Sequence, residues 1–225
     1  MPDASRPNVI LVYTDQQRFD TLGVNGNPLI RTPNLDAMAR SGVHFTRPYV
    51  TTPICLPSRA GLFTGRYNHT NLSYNNNRWL LPRETDLATL FRRHGYHTAL
   101  IGKDHCFGAL RERAFDETIL AGHLGFGSPG DDVERTIGAV RRELMQAPFA
   151  NDPVPADDGI TARLFRDARR HVDRVAGRPF FLWLSIPDPH PPYMVGAPYD
   201  RMYDDVAIPP PAWAEGEMAD KPYRQ

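Results

Sequence analysis

Cys55, in the run Cys55-Leu56-Pro57-Ser58-Arg59-Ala60-Gly61-Leu62-Phe63-Thr64-Gly65-Arg66, is the residue best placed for nucleophilic chemistry. Pro53 and Pro57 argue against a strand or helix before Ser58, and Gly65 suits the end of the turns that follow. Cys55 is therefore expected just ahead of a helix N-terminus, where backbone N–H groups and the helix dipole favour negative charge. Arg59 adds a fixed positive charge one turn on. A nucleophile for an anionic ester suits such a place; the plain alternative is a buried thiol acting as a small hydrophobe.

Two further clusters stand where strands should end. Val9-Ile10-Leu11-Val12-Tyr13 has the look of a fully buried strand of a parallel sheet, and Thr14-Asp15-Gln16-Gln17 follows it. Open α/β sheets bind ligands past the carboxyl ends of their strands. Asp15 and Gln16 offer hard oxygen ligands suited to Ca²⁺, Mg²⁺ or Mn²⁺, or else form a solvated loop. His97-Thr98-Ala99-Leu100-Ile101 reads as a second buried strand and runs into Gly102-Lys103-Asp104-His105. Lys103 and His105 share a face if the extended chain continues. Pro179 to Ser185 reads as a third, ending in Ile186-Pro187-Asp188-Pro189-His190-Pro191-Pro192. A histidine among prolines has little freedom and is aimed, at a turn or at a site.

Helices must position these strands. Thr32, Pro33 and Gly42 bracket one, with Leu35, Met38 and Ala39 as its buried face. Leu87, Leu90, Phe91 and His94 keep helical spacing up to Gly95. Residues 159–176 form a third, with Ile160, Leu164, Ala168 and Val172 inward and Arg163, Arg166, Arg170 and Arg174 as a solvated stripe partnered by Asp167 and Asp173. Asn75-Asn76-Asn77 is loop. Residues 107–158 are expected to be irregular, with one helix near 132–146. Cys106 and the histidines at 44, 69, 94, 97, 123 and 171 are taken as structural or surface. The pattern is α/β, a mostly parallel sheet flanked by helices.

The chain has 225 residues, with 26 Lys+Arg against 26 Asp+Glu, so no net charge points to nucleic acid or an acidic membrane surface. Two cysteines make no disulfide framework. No apolar run approaches a membrane span and no signal-peptide core follows the first residues, so a cytoplasmic protein is expected. Asn68-His69-Thr70 and Asn71-Leu72-Ser73 match glycosylation acceptors, a motif common by chance.

Cys55-x-Pro57-Ser58-Arg59 followed by Thr64-Gly65-Arg66 resembles the signature of the type I sulfatases. Thr32-Pro33-Asn34-Leu35-Asp36, Gly42-Val43-His44-Phe45, Gly102-Lys103-Asp104-His105 and His190-Pro191-Pro192 resemble further family words. The resemblance implies an alkaline-phosphatase-like fold, with residues 1–225 corresponding to the N-terminal catalytic portion and 107–158 to a variable, insert-like segment. It implies that a separate maturation enzyme oxidises Cys55 to formylglycine, whose hydrate is the nucleophile. It implies a divalent metal, Ca²⁺ before Mn²⁺ or Mg²⁺, on Asp15, Gln16 and the modified Cys55, and catalytic roles for Arg59, Lys103, His105 and His190 on a small-molecule sulfate ester. The sequence departs from the family in having Asp15-Gln16 where two aspartates are common and Asp104 where an aromatic is frequent; the Asp104 carboxylate is expected to lower the positive potential of the site. A later Asp-His-Gly or Asp-Asn-Gly stretch, which supplies two more metal ligands in the family, is absent from these 225 residues. Phosphonate or phosphate ester hydrolysis by the same superfamily remains open, as does a non-catalytic sulfatase fragment.

Overall fold

The computed structural model describes residues 6–122, 125–126, 149–151, 154–210, 214–217 and 219. Four parallel strands carry the fold: β1 (Val9–Thr14), β2 (His97–Gly102), β3 (Glu117–Gly122) and, last in the chain, Phe180–Ile186. Two short strands, β4 (Gly125–Phe126) and β5 (Phe149–Asn151), precede that last one, which is therefore β6; β7 is Tyr193–Val195. The main sheet runs β1-β6-β2-β3-β4, with only β4 antiparallel; β5 and β7 form a separate parallel pair.

All seven residues of β6 are buried, because helices cover both faces of the sheet where it lies. Phe181 and Trp183 point into a cluster with Leu56, Ala60 and Phe63 of α2 (Cys55–Thr64), Ala88 of α4 (Leu87–Arg93) and Ala114 of α5 (Arg111–Ala114). Between α2 and α4 lies the single turn α3 (Asn68–Asn71). Phe180, Leu182, Leu184 and Ile186 point the other way, onto Ile160, Leu164, Ala168 and Val175 of α6 (Ile160–Val175). The period-2 alternation of a strand thus sorts one apolar run into two cores.

The structure corrects several sequence expectations. Strand β1 is covered on one face only: Val9, Leu11 and Tyr13 pack inward, while Ile10 and Val12 are about half exposed. Helix α1 (Pro33–Ser41) has no buried residue, and Leu35 and Met38 are exposed. Its propensity and its Pro33 start set it as a helix, and no described residues cover its apolar face. In α4 the inward residues are Leu87, Ala88 and Phe91, and Leu90 is exposed. Strand β3 arises inside the stretch expected to be irregular. The helix expected near 132–146, and His123, lie outside the described residues. On α6, Asp167 does pair with Arg170, but Asp173 pairs with Arg169, while Arg166 reaches Asp158 and Arg174 reaches Glu117.

Candidate active site

Helix α2 starts at Cys55 itself, three residues before the point that the two prolines suggest. Pro57 falls in the first turn, where its missing N–H is one that has no intrahelical acceptor in any case. The Leu56 N–H is capped from outside by Asn76 Oδ1 at 3.1 Å. At the other end Gly65 takes the left-handed conformation (φ 64°) and its N–H reaches Gly61 O. Asn68 ties this helix to its approach loop: it accepts from Thr51 and Thr52 hydroxyls at 2.6 and 2.9 Å and donates to Pro57 O and Ser73 O at 2.8 Å each. Asn68 and Asn71 are both buried, so the two glycosylation-like triplets serve as internal hydrogen-bonding nodes.

The ends of β1, β2 and β6 and the start of α2 meet at one place. A cavity of about 510 Å³ is lined there by Asp15, Gln16, Cys55, Ser58, Asn76 and His190, among others. Gln16 holds a left-handed backbone (φ 63°) that turns the chain just past β1. Asp15 is buried and meets two cations: the Lys103 ammonium hydrogen-bonds its carboxylate, and Arg59 Nη2 lies 3.5 Å from Oδ2.

Arg59 is fully buried. Its Nη1 donates to Ser185 Oγ at 2.6 Å and to Lys103 O at 3.2 Å, and its guanidinium carbon lies 4.8 Å from the Tyr13 ring centre and 5.4 Å from that of Trp183. Its Nε and Nη2 have no hydrogen-bond partner. The Tyr13 hydroxyl and Ser58 Oγ are 2.9 Å apart. Lys103 keeps its place through its own N–H on Ser185 O at 2.8 Å. That contact needs Gly102: a Cβ there would sit 1.9 Å from Ser185 O, on a backbone at φ 110°.

His105 reaches the site by a turn, not by continued extension; its φ is 39°. Its ring packs edge-on to Trp79 at 5.7 Å and bonds the backbone of Asn76. Burial, then the positive charges of Lys103 and Arg59, hold its pKa below the ordinary value, which favours a neutral imidazole. His190 lines the cavity, and its Nδ1 donates to Pro191 O at 2.7 Å. Burial pushes the Cys55 thiol up; Lys103 and Arg59 pull it down and Asp15 pushes it further up. Burial likewise lowers Lys103 against the opposing pull of Asp15.

Asp104 does not face the cavity, contrary to expectation. Its carboxylate accepts from the N–H groups of Cys106, Phe107 and Gly108 and from Arg111 Nη1 at 2.7 Å, so it builds the turn after β2 and its charge is spent there. Sequence reasoning missed Ser185, Tyr13 and Asn76 as partners of the site. Ser185 is the one polar residue within β6, which is the signal that marks it.

The family profile for sulfatases matches residues 7–214. This chain belongs to the sulfatase family. It is 31% identical over 243 aligned residues to an arylsulfatase of Clostridium perfringens, covering 94% of this chain and 50% of the relative. It is 32% identical to the multifunctional alkaline phosphatase superfamily protein PehA of Trinickia caryophylli, covering 96% and 48%. The crystal structure of phosphonate monoester hydrolase of Agrobacterium radiobacter superposes with a TM-score of 0.72 at 28% identity, over 93% of this chain and 46% of that one. The sulfatase chain described here thus spans about half the length of the relatives it matches. Its α/β sheet is the alkaline-phosphatase-like one, and no helix of its described residues is long and apolar enough to cross a membrane.

Proposed function

We propose that this chain carries the nucleophile half of a sulfate-ester hydrolase site, with Cys55 acting after conversion to formylglycine. The observation that carries the reading is the meeting of Asp15, Lys103 and Arg59 at Cys55, on the family words Cys55-x-Pro57-Ser58-Arg59 and Gly102-Lys103-Asp104-His105. A protonated, half-buried thiol is a poor nucleophile, so the raised pKa of Cys55 argues against plain thiolate chemistry and favours modification. A separate formylglycine-generating enzyme and a cytoplasmic setting belong to the same reading.

The donor set suits a hard dication. Asp15 and Gln16 present carboxylate and amide oxygens side by side, and the Lys103 ammonium already shows that Asp15 holds positive charge. Asp15, Gln16 and residue 55 would hold Ca²⁺, or Mn²⁺ or Mg²⁺, which would supply charge neutralisation on the transferring group. These three fall short of the six to eight oxygens that Ca²⁺ takes. Weak metal affinity and little turnover are therefore expected of the 225 residues alone.

The remaining steps fall to the chain's own groups. Formylglycine at position 55 would supply a hydrate hydroxyl as nucleophile. Arg59, whose Nε and Nη2 make no hydrogen bond, holds that hydroxyl pair in place. Lys103 and Arg59 against Asp15 leave one net positive charge to attract an anionic ester. His190 protonates the leaving oxygen, helped by Lys103. Neutral His105 takes the proton of the second hydroxyl, which releases sulfate.

A second reading has its own support. Gln16 removes one carboxylate from the usual pair, and the phosphonate monoester hydrolase is among the structural neighbours. Parallel assays of aryl sulfates and phosphonate monoesters separate the two. The nucleophile itself is tested by mass spectrometry of peptides from 48–66 after co-expression with a formylglycine-generating enzyme. Loss of sulfur with aldehyde reactivity is expected; a quantitative free thiol at Cys55 overturns the reading.

A further inference from the structure

At the opposite end of the sheet, three metal-binding residue types converge. His97 opens β2, Glu117 opens β3, and His171 lies on α6 facing them. One ligand atom from each lies within 4.8 Å of the other two. His171 Nδ1 is 3.0 Å and His97 Nε2 3.9 Å from Glu117 Oε2. His171 is buried, with Nε2 lacking a hydrogen-bond partner. Behind His97, Nδ1 lies 3.5 Å from Asp116 Oδ2, the carboxylate backing that metal-bound histidines commonly have. Asp116 is itself fixed by Arg92 and by the Thr98 N–H.

A cation already sits at this place. Arg174 Nη2 bonds Glu117 and lies 3.3 Å from His171 Nδ1, yet its side chain is 58% exposed. We propose that His97, Glu117 and His171 form a binding site for a borderline transition-metal dication such as Zn²⁺, and that Arg174 occupies it in the metal-free protein and swings into solvent when the ion binds.

The chemistry fits the geometry. Two imidazoles and a carboxylate are a ligand set for Zn²⁺ or Co²⁺ and not for Ca²⁺. Around a tetrahedral ion, donors at about 2.1 Å stand roughly 3.4 Å apart, so the widest pair of the cluster must close by on the order of 1 Å. The two rings are stacked at 5.4 Å with 14° between their planes, and His97, the more exposed of the pair, must turn to aim its lone pair. That torsion is soft. Burial, then the charge of Arg178, lowers the pKa of His97, so the ring is already in its ligating form at neutral pH. The ion would cross-link β2, β3 and α6, at the edge remote from the candidate active site.

Calorimetric titration of the chain with Zn²⁺, and visible spectra with Co²⁺, test this in a Cys55→Ser background that removes the half-buried thiol. One-to-one binding without a thiolate band is expected. Glu117→Gln and His97→Ala should abolish it, and Asp116→Asn should weaken it by about tenfold. Arg174→Ala should tighten it by roughly fivefold, the worth of an exposed ion pair. Arg174 is exposed enough for that variant to fold. No binding at millimolar ion, binding indifferent to Glu117 and His97, or no tightening in Arg174→Ala each overturns the proposal.

Discussion

Arg59 Nη1 donates to Ser185 Oγ at 2.6 Å, joining helix α2 to the central strand β6 inside the protein. The guanidinium is fully buried, against two aromatic rings and the Asp15 carboxylate. Removing one member of a buried charge cluster strands the others. Arg59→Ala should therefore destabilise the chain by about 3–5 kcal/mol. Arg59→Lys should recover little, because an ammonium cannot reproduce the planar contacts. Urea midpoints read both; an unchanged midpoint in Arg59→Ala would refute the assignment.

Asn68 holds four hydrogen bonds at a buried position beside the nucleophile helix. Asn68→Ala deletes them and leaves the Pro57 and Ser73 carbonyls without that donor. A loss of about 3 kcal/mol is expected. Asn68→Asp should also destabilise, since a carboxylate cannot donate to those carbonyls. Thermal unfolding of the two variants measures this, and wild-type melting of either would show that the network is dispensable.

The depressed pKa of His105 makes stability depend on pH. Between its folded value and the ordinary 6.5, the unfolded chain binds more protons than the folded one. Stability is thus fully present above about pH 6.5 and is lost as pH falls through that window. The groups facing the ring are Lys103, Arg59, Asp15 and the Asn76 backbone. His105→Gln should flatten the curve of urea midpoint against pH between 5 and 7; an identical slope in both proteins would remove His105 as its cause.

His190 is assigned the leaving-group proton, and the assignment has a kinetic signature. In matured, active enzyme, His190→Ala should slow alkyl sulfates by roughly 100-fold or more and nitrophenyl sulfates far less, because a nitrophenolate leaves without a proton. Equal losses on the two substrates would exclude the acid role.

Strand β6 was plain in the sequence because burial on both faces demands an unbroken apolar run, and its neighbours β1 and β2 read the same way. Yet β1 is open at Ile10 and Val12, and the same run of residues fits either environment. Strand β3 was hidden because its polar start, Glu117-Thr118, gives no alternation; its pairing with β2 makes it a strand. At the site, charged residues at strand ends stood out by type. Ser185 and Asn76 did not, because each acts through hydrogen bonds that no periodicity announces. Asp104 misled for the opposite reason: its charge was visible, but not the three N–H groups that consume it.

The strand order β1-β6-β2 carries a consequence for synthesis. β1 and β2 are made early but are not neighbours; β2 can pair with β3 by residue 122, while β1 and the other edge of β2 wait for a partner that emerges only near residue 186. At roughly 5–20 residues per second, the ribosome needs about 4–17 s to pass from Gly102 to Ile186. Through that interval β1 has no strand to join, and β2 is paired on its β3 side alone. Nascent chains arrested before Pro179 should therefore be protease-sensitive and held by chaperones, and those arrested well past Ile186 should resist cleavage once β6 has left the exit tunnel.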